Sequence, residues 1–397
     1  MRIAIIGTYP PRQCGIATFT YDLYRALPVE GEKHGIVAIS DGTEPSFPSE
    51  VCFTINKNVH QDYVQAAAYI NQHFDICVLQ HEYGIFGGDA GDFIVQLLKR
   101  LNVPVVSNLH TVLQHPSPKE HETLKTICSY SKLVTVMTDM AIRLLQQVFG
   151  VPRSKIEMVP HGVPAFDYNQ TEAKKQLGLT GRKVMLSFGF LGRNKGIETA
   201  IEAVKQVNDP SFLYIVLGST HPNVLREEGE GYRLFLEEQI AANGLNDRIQ
   251  LINTFASEEL LVKYLTACDI YVTPYPNENQ ISSGTLSFAI GAGAAVISTP
   301  YWYAKDLLAH DRGLLFDFHD ASGLAGHINR LLDDPLILAK YRRNAAAYGR
   351  LTSWPNVAGR YYGHLKQVCT SIPTITLRQD AKKVASLFAV NTTRLSS

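Results

Sequence analysis

The chain has 397 residues, too many for one ordinary hydrophobic core, so two domains are expected. Hydrophobic residues make up 45% and charged residues 19%, the composition of a soluble globular protein. Thirty-seven basic side chains balance 37 acidic ones with no dense Lys/Arg run, which argues against a nucleic-acid or other polyanion partner.

The first residues, MRIAIIG, are too few for the apolar core of a signal peptide and read as a buried strand. No apolar window reaches the roughly 18–20 residues of a spanning helix, so no integral membrane segment is expected. Further strands are predicted at residues 35–39, 76–80, 103–109 and 133–137, with helices between them, among them 17–27 and 91–101. The alternation then repeats, with strands at 184–189, 213–217, 249–252, 270–273 and 295–298 and helices near 195–207, 230–243, 257–267, 283–293 and 303–309. Continuous apolar strands alternating with helices mean parallel sheets covered on both faces. The expected fold class is therefore α/β, two doubly wound Rossmann-like domains facing each other across a cleft. A polar stretch at 164–181 reads as the seam, and the tail beyond Thr370 is without strong periodicity until residues 380–388. Six cysteines (Cys14, Cys52, Cys77, Cys128, Cys268, Cys369) lie far apart with no C-x-x-C, as reduced thiols of a cytoplasmic protein do.

The loops at the strands' carboxyl ends carry the chemistry. GTYPPRQCGIATF joins the first strand to a helix through Gly7 and Gly15, whose spacing does not fit the dinucleotide fingerprint. QHEYGIFGGDAGD places His81, Glu82, Tyr83 and Gly87 directly after a strand, polar and aromatic groups suited to a sugar or acceptor. SNLHTV ends another strand on His110, and PHGVP carries His161 at the edge of the seam. GFLGRNKGIE sets Arg193 and Lys195 among glycines, two cations for a phosphate or diphosphate. NENQISSGTLSFAIGAG starts a helix at Ser282, Ser283, Gly284 and Thr285, and a helix start of this kind binds anions.

In this order these loops resemble the retaining glycosyltransferases of family 4, which have the GT-B fold. The likeness runs over about the first 360 residues and includes PPRQCGIATF, His110, the Lys195-Gly196 turn, GAGAAVIST and Trp354 in LTSWPNVAGRYY. It implies an N-terminal domain over 1–165, a C-terminal donor domain over 166–351, and a return of 352–370 to the first domain, with 371–397 a tail. It implies that Lys195 contacts the donor diphosphate and His110 the donor sugar. The family's arginine falls on Phe190, with Arg193 three residues later. Its paired glutamates fall on Gln280 and Phe288, leaving Glu278 as a neighbouring carboxylate for the first position and nothing for the second.

The implied activity is retaining transfer of a sugar from a nucleotide-diphosphate sugar to a carbohydrate acceptor. His110, Lys195, Glu278 and Gln280 would sit at the reacting centre. No D-x-D motif occurs, so no metal and no cofactor are expected. Phenylalanine at 288 cannot bind a ribose diol, which keeps two alternatives open: a retaining disaccharide phosphorylase using inorganic phosphate, and a sugar- or phosphate-binding protein of this fold without catalysis.

Overall fold

The computed structural model describes residues 1–31 and 33–370; the tail 371–397, including the periodic run at 380–388, lies outside the described residues. Seven strands form the first sheet: β1 (Ile3–Gly7), β2 (Gly35–Ser40), β3 (Val51–Asn56), β4 (Ile76–His81), β5 (Val105–Leu109), β6 (Leu133–Val136) and β7 (Ile156–Met158). Their order is β3-β2-β1-β4-β5-β6-β7, and every pairing is parallel. The second sheet holds β8 (Lys183–Phe188), β9 (Phe212–Leu217), β10 (Ile249–Ile252), β11 (Ile270–Thr273), β12 (Ala295–Ser298) and β13 (Gly313–Leu315). It runs β10-β9-β8-β11-β12-β13, again wholly parallel. In both sheets the order reverses beside the first strand, between β1 and β4 and between β8 and β11. The crevice at the carboxyl ends opens there, where sheets of this kind bind ligands.

The central strands are buried along their whole length, as in IAIIG of β1 and FLYIVL of β9, because helices cover both faces. Three strands, β3, β7 and β13, are absent from the sequence reading. All are edge strands, and at most one residue of each is fully buried, unlike the strands inside the sheets. The helix expected at 91–101 is cut to Ile94–Leu98, since Gly91 takes φ +73°, outside the helical region. The stretch 164–181 is more than a seam. It carries the helix Gln170–Gln176, tied to the second sheet by Lys174 Nζ on Asp269 Oδ2 at 2.6 Å and by Gln170 Nε2 on Asp269 Oδ1 at 3.1 Å.

The chain crosses back after helix Pro335–Leu351: Val163 N–H donates to Thr352 O at 2.9 Å and Trp354 N–H to Val163 O at 3.0 Å. Helix Trp354–Thr370 then lies against the first domain, where Tyr362 Oη and Lys366 Nζ reach the Glu30 carboxylate at 2.9 and 3.0 Å. At the crossing, helix Gly284–Gly291 meets Val163 on one side and Gly349 on the other. A methyl on Gly291 would come within 2.8 Å of Val163, and one on Gly349 within 2.6 Å of Gly291 Cα.

Asp22, on helix Gly15–Ala26, has its carboxyl raised to about 7 by burial and by the Glu258 carboxylate of the second domain. A folded-state value above the ordinary 3.8 means that the folded protein binds the extra proton between about pH 4 and 7. Stability from this group is therefore present below that window and lost as pH rises through it. Melting scans from about pH 5 to pH 8 should show Tm falling in the wild type and a flatter curve in Asp22→Asn, with the variant the more stable at pH 8. Parallel curves would remove Asp22 as the cause.

Candidate active site

The elements facing one another across the crevice are the loops after β1, β4 and β5 on one side and those after β8 and β11 on the other. Two of these loops, those after β8 and β11, meet at one point in the second domain. Gly196, at φ +60°, lets the turn Arg193–Lys195 lie on the loop after β11; a Cβ there would sit 2.2 Å from Pro274 O. Gly189, at φ +116°, does the same beside Thr285, whose Cγ2 would be 3.2 Å from an added Cβ. The result is a chain of polar contacts. Lys195 Nζ lies 3.4 Å from Tyr275 Oη and 4.5 Å from the centre of its ring. Tyr275 Oη is 3.1 Å from Thr285 Oγ1, which is 3.1 Å from Ser283 Oγ. Ser283 caps helix Gly284–Gly291, accepting from Leu286 N–H at 3.3 Å. An ammonium, three hydroxyls and a helix N-terminus thus meet in one place, a charge arrangement complementary to an anion.

Arg193 is not part of it. Its guanidinium is 66% exposed, stacks over Tyr232 and Phe235, and faces Glu228 at 4.0 Å. Gly15 opens the helix after β1 with nothing within 4 Å of where a side chain would be, so the space beside it is open.

Two histidines of the first domain line the junction. His110 is 7% exposed, and its Nε2 lies 2.9 Å from Gln80 Oε1, which also accepts from Asn108 Nδ2 at 2.8 Å. Burial, with His161 and His81 nearby, pulls its pKa down to about 3, so the ring is neutral. An imidazole donating from Nε2 keeps its lone pair on Nδ1. His161 is lowered to about 4 by burial, opposed by its contact with the Gly162 carbonyl, and is likewise neutral. Its Nδ1 sits 2.7 Å from that carbonyl and its Nε2 3.2 Å from where a Gly284 side chain would be. Phe19 presents its ring to His110, His161 and Trp354, with centroids 4.7, 5.0 and 5.1 Å away. Ser282 Oγ donates across the junction to the His110 carbonyl at 2.9 Å.

The other residues singled out in the sequence are spread more widely. His81 is fully buried between Tyr83 and Phe86, with neither ring nitrogen hydrogen-bonded, and burial pulls its pKa to about 3. Tyr83 is buried too, and Gly87 packs its backbone on the Lys57 carbonyl, where a Cβ would come within 1.8 Å. These three serve packing of the loop and offer no open face. Glu82 differs: its carboxylate accepts from Thr111 Oγ1, and burial raises its pKa. Because β4 and β5 are neighbours and His110 N–H donates to His81 O at 3.0 Å, Glu82 and Thr111 flank His110 at the cleft. Glu278 is exposed on a cavity of about 270 Å³ shared with Arg143, Trp302 and Lys305. Gln280 spends its amide on Ser282 O at 2.8 Å. Phe288 packs against His161 and Phe188, at 5.9 and 6.3 Å between centroids. Tyr275, Thr111 and Phe19 were missed in the sequence. The position of Tyr275, two residues beyond β11, was the available signal.

Among the described residues no group of three or more His, Cys, Asp or Glu is placed to hold a metal, and no helix is long and apolar enough to cross a membrane.

The family described as "Glycosyltransferase Family 4" matches residues 14–165, and "Glycosyl transferases group 1" matches 169–352. The chain belongs to the GT-B glycosyltransferases of group 1 and family 4. Its relatives include an alpha-D-kanosaminyltransferase of Streptomyces kanamyceticus, 24% identical over 66% of this chain and 69% of that one. A D-inositol 3-phosphate glycosyltransferase of Acidothermus cellulolyticus is 25% identical over 77% and 70%. A GDP-mannose:glycolipid 4-beta-D-mannosyltransferase of Xanthomonas campestris is 22% identical over 68% and 70%. Among solved structures, Anabaena Alr3699/HepE in complex with UDP superposes with TM-score 0.75 at 17% identity, over 92% of this chain and all of that one. WaaG, a glycosyltransferase of lipopolysaccharide biosynthesis, gives 0.65 at 15%, over 91% and 99%. At such identities the likeness to the solved structures is one of fold. What this glycosyltransferase has in common with them is the pair of parallel-sheet, Rossmann-like domains.

Proposed function

We propose that this glycosyltransferase moves a hexosyl group from a nucleoside-diphosphate sugar to a carbohydrate acceptor, with retention at C1 and without a metal. The observation that carries this reading is the Lys195–Tyr275–Thr285–Ser283 chain at the N-terminus of helix Gly284–Gly291. It supplies, from the protein alone, the positive potential that a departing diphosphate needs. The C1–O bond to the diphosphate breaks, its electron pair staying on the phosphate oxygen. The acceptor hydroxyl bonds to C1 on the same face, and its proton passes to that phosphate oxygen. Helix Gly284–Gly291 carries no acidic residue and the exposed Glu278 lies on a separate cavity, which favours this single front-face step over a side-chain nucleophile. Neutral His110 would accept a hydroxyl of the donor sugar at Nδ1. Glu82 with Thr111 would orient the acceptor, and Gly15 would give the diphosphate room. The names of the kanosaminyl-, mannosyl- and inositol-phosphate relatives support the class of reaction.

Phe288 favours one second reading. Its ring occupies the face of the helix toward His161, and with no carboxylate there a ribose has no partner on that helix, whereas inorganic phosphate needs none. Calorimetric titration with UDP, GDP, ADP and phosphate, one at a time, separates the two. Micromolar binding of one nucleotide is expected. Binding of phosphate alone, tightened by a sugar, would move the assignment to a phosphorylase. Silence from all four would overturn both.

A further inference from the structure

Lysine reaches an anion on a flexible four-carbon stem, and nothing in the ammonium itself fixes its direction. In this protein something does. The Arg193–Lys195 turn is seated on the Pro274 carbonyl through Gly196, and the next residue of that loop, Tyr275, is 5% exposed with its ring stacked on Tyr301 at 5.1 Å and 22°. Its hydroxyl is therefore held in place from behind.

The direction of the first hydrogen bond follows from Lys195, which can only donate. Tyr275 Oη accepts from Nζ, so its own hydrogen is free for Thr285 Oγ1 at 3.1 Å. Thr285 Oγ1 is in turn 3.1 Å from Ser283 Oγ, which accepts from Leu286 N–H. The ammonium is thus linked through two hydroxyl–hydroxyl contacts to the serine that caps the helix N-terminus.

We infer that Tyr275 is a positioning residue of the phosphate site, acting through Lys195: its hydroxyl aims the ammonium at the start of helix Gly284–Gly291 and couples it to Thr285 and Ser283. The assignment rests on the phosphate reading of the site given above. It adds a tyrosine to a site whose other groups are a lysine, two small hydroxyls and backbone amides.

Tyr275→Phe isolates the hydroxyl, since the ring that Tyr301 and the ammonium lean on is retained. The measurement is the Kd of inorganic pyrophosphate by calorimetry in wild type, Tyr275→Phe, Lys195→Ala and the double variant, with melting scans of each. Tyr275→Phe is expected to weaken pyrophosphate about tenfold, the scale of a hydrogen bond to a charged group, at unchanged Tm. In the Lys195→Ala background the same change should shift Kd less than twofold, because the group it acts through is gone. An unchanged Kd in the single variant overturns the inference, and so does an equal loss in both backgrounds, which would make the tyrosine an independent contact. A Lys195→Ala variant that binds pyrophosphate as the wild type does would overturn the phosphate site itself, and the role of Tyr275 with it. If Tyr275→Phe does not fold, Thr285→Val breaks the next link: a several-fold loss that vanishes without Lys195 supports the inference, and no loss overturns it.

Discussion

Lys195→Ala is expected to lower turnover about 10²–10³-fold, the scale for removing one donor that stabilises charge appearing in the transition state. The ground for a large effect is that no second cation takes over. Arg193, two residues away, is turned outward over Tyr232 and Phe235 and faces Glu228, so it remains outside the pocket when the lysine is gone. The hydroxyls of Tyr275, Thr285 and Ser283 remain, yet none carries charge. Arg193→Ala is the matching control and should leave turnover within about threefold, as changes at exposed ion pairs do. Initial rates of sugar transfer at saturating donor, with Tm measured on the same samples, check both. Normal turnover in Lys195→Ala would sink the diphosphate assignment.

Gly349→Ala is expected to destabilise the protein by about 1–3 kcal/mol, the range for forcing extra volume into a packed contact. The added methyl would lie 2.6 Å from Gly291 Cα and 2.8 Å from Gly291 O, both backbone atoms of the facing helix, which cannot swing aside as a side-chain tip can. Helix Pro335–Leu351 has to move off helix Gly284–Gly291, and the latter carries the anion site at its other end. Activity should therefore fall together with Tm. Calorimetric scans and transfer rates test this jointly, and an unaltered Tm would show that the two helices have slack.

The sequence reading reached the fold through strands buried on both faces. IAIIG, ICVL and FLYIVL are continuous apolar runs because helices cover both sides of the sheet. It missed β3, β7 and β13, edge strands with at most one fully buried residue each, although it found the fourth edge strand, β10. At the site it found the loops more surely than the directions of their side chains. Arg193 and Lys195 read as a pair, but in a tight turn of about three residues per turn, side chains two apart leave on different sides. His81 and Glu82 read as one polar cluster, whereas strand alternation sends them to opposite sides, the first packed between Tyr83 and Phe86 and the second bonded to Thr111. Tyr275 belongs to no motif. Its role depends on Lys195, eighty positions back along the chain, and on the left-handed glycine beside it at 196, a separation that local pattern cannot span.

The bond from Ser282 Oγ to the His110 carbonyl joins the two domains beside the histidine that lines the cleft. Any separation of the two domains that admits a donor has to break it. Entry then has a ceiling set by the protein's own motion: in stopped-flow mixing the observed binding rate should climb with ligand concentration and level off, where an open cleft would give a straight line. Ser282→Ala, by freeing the latch, should raise that plateau.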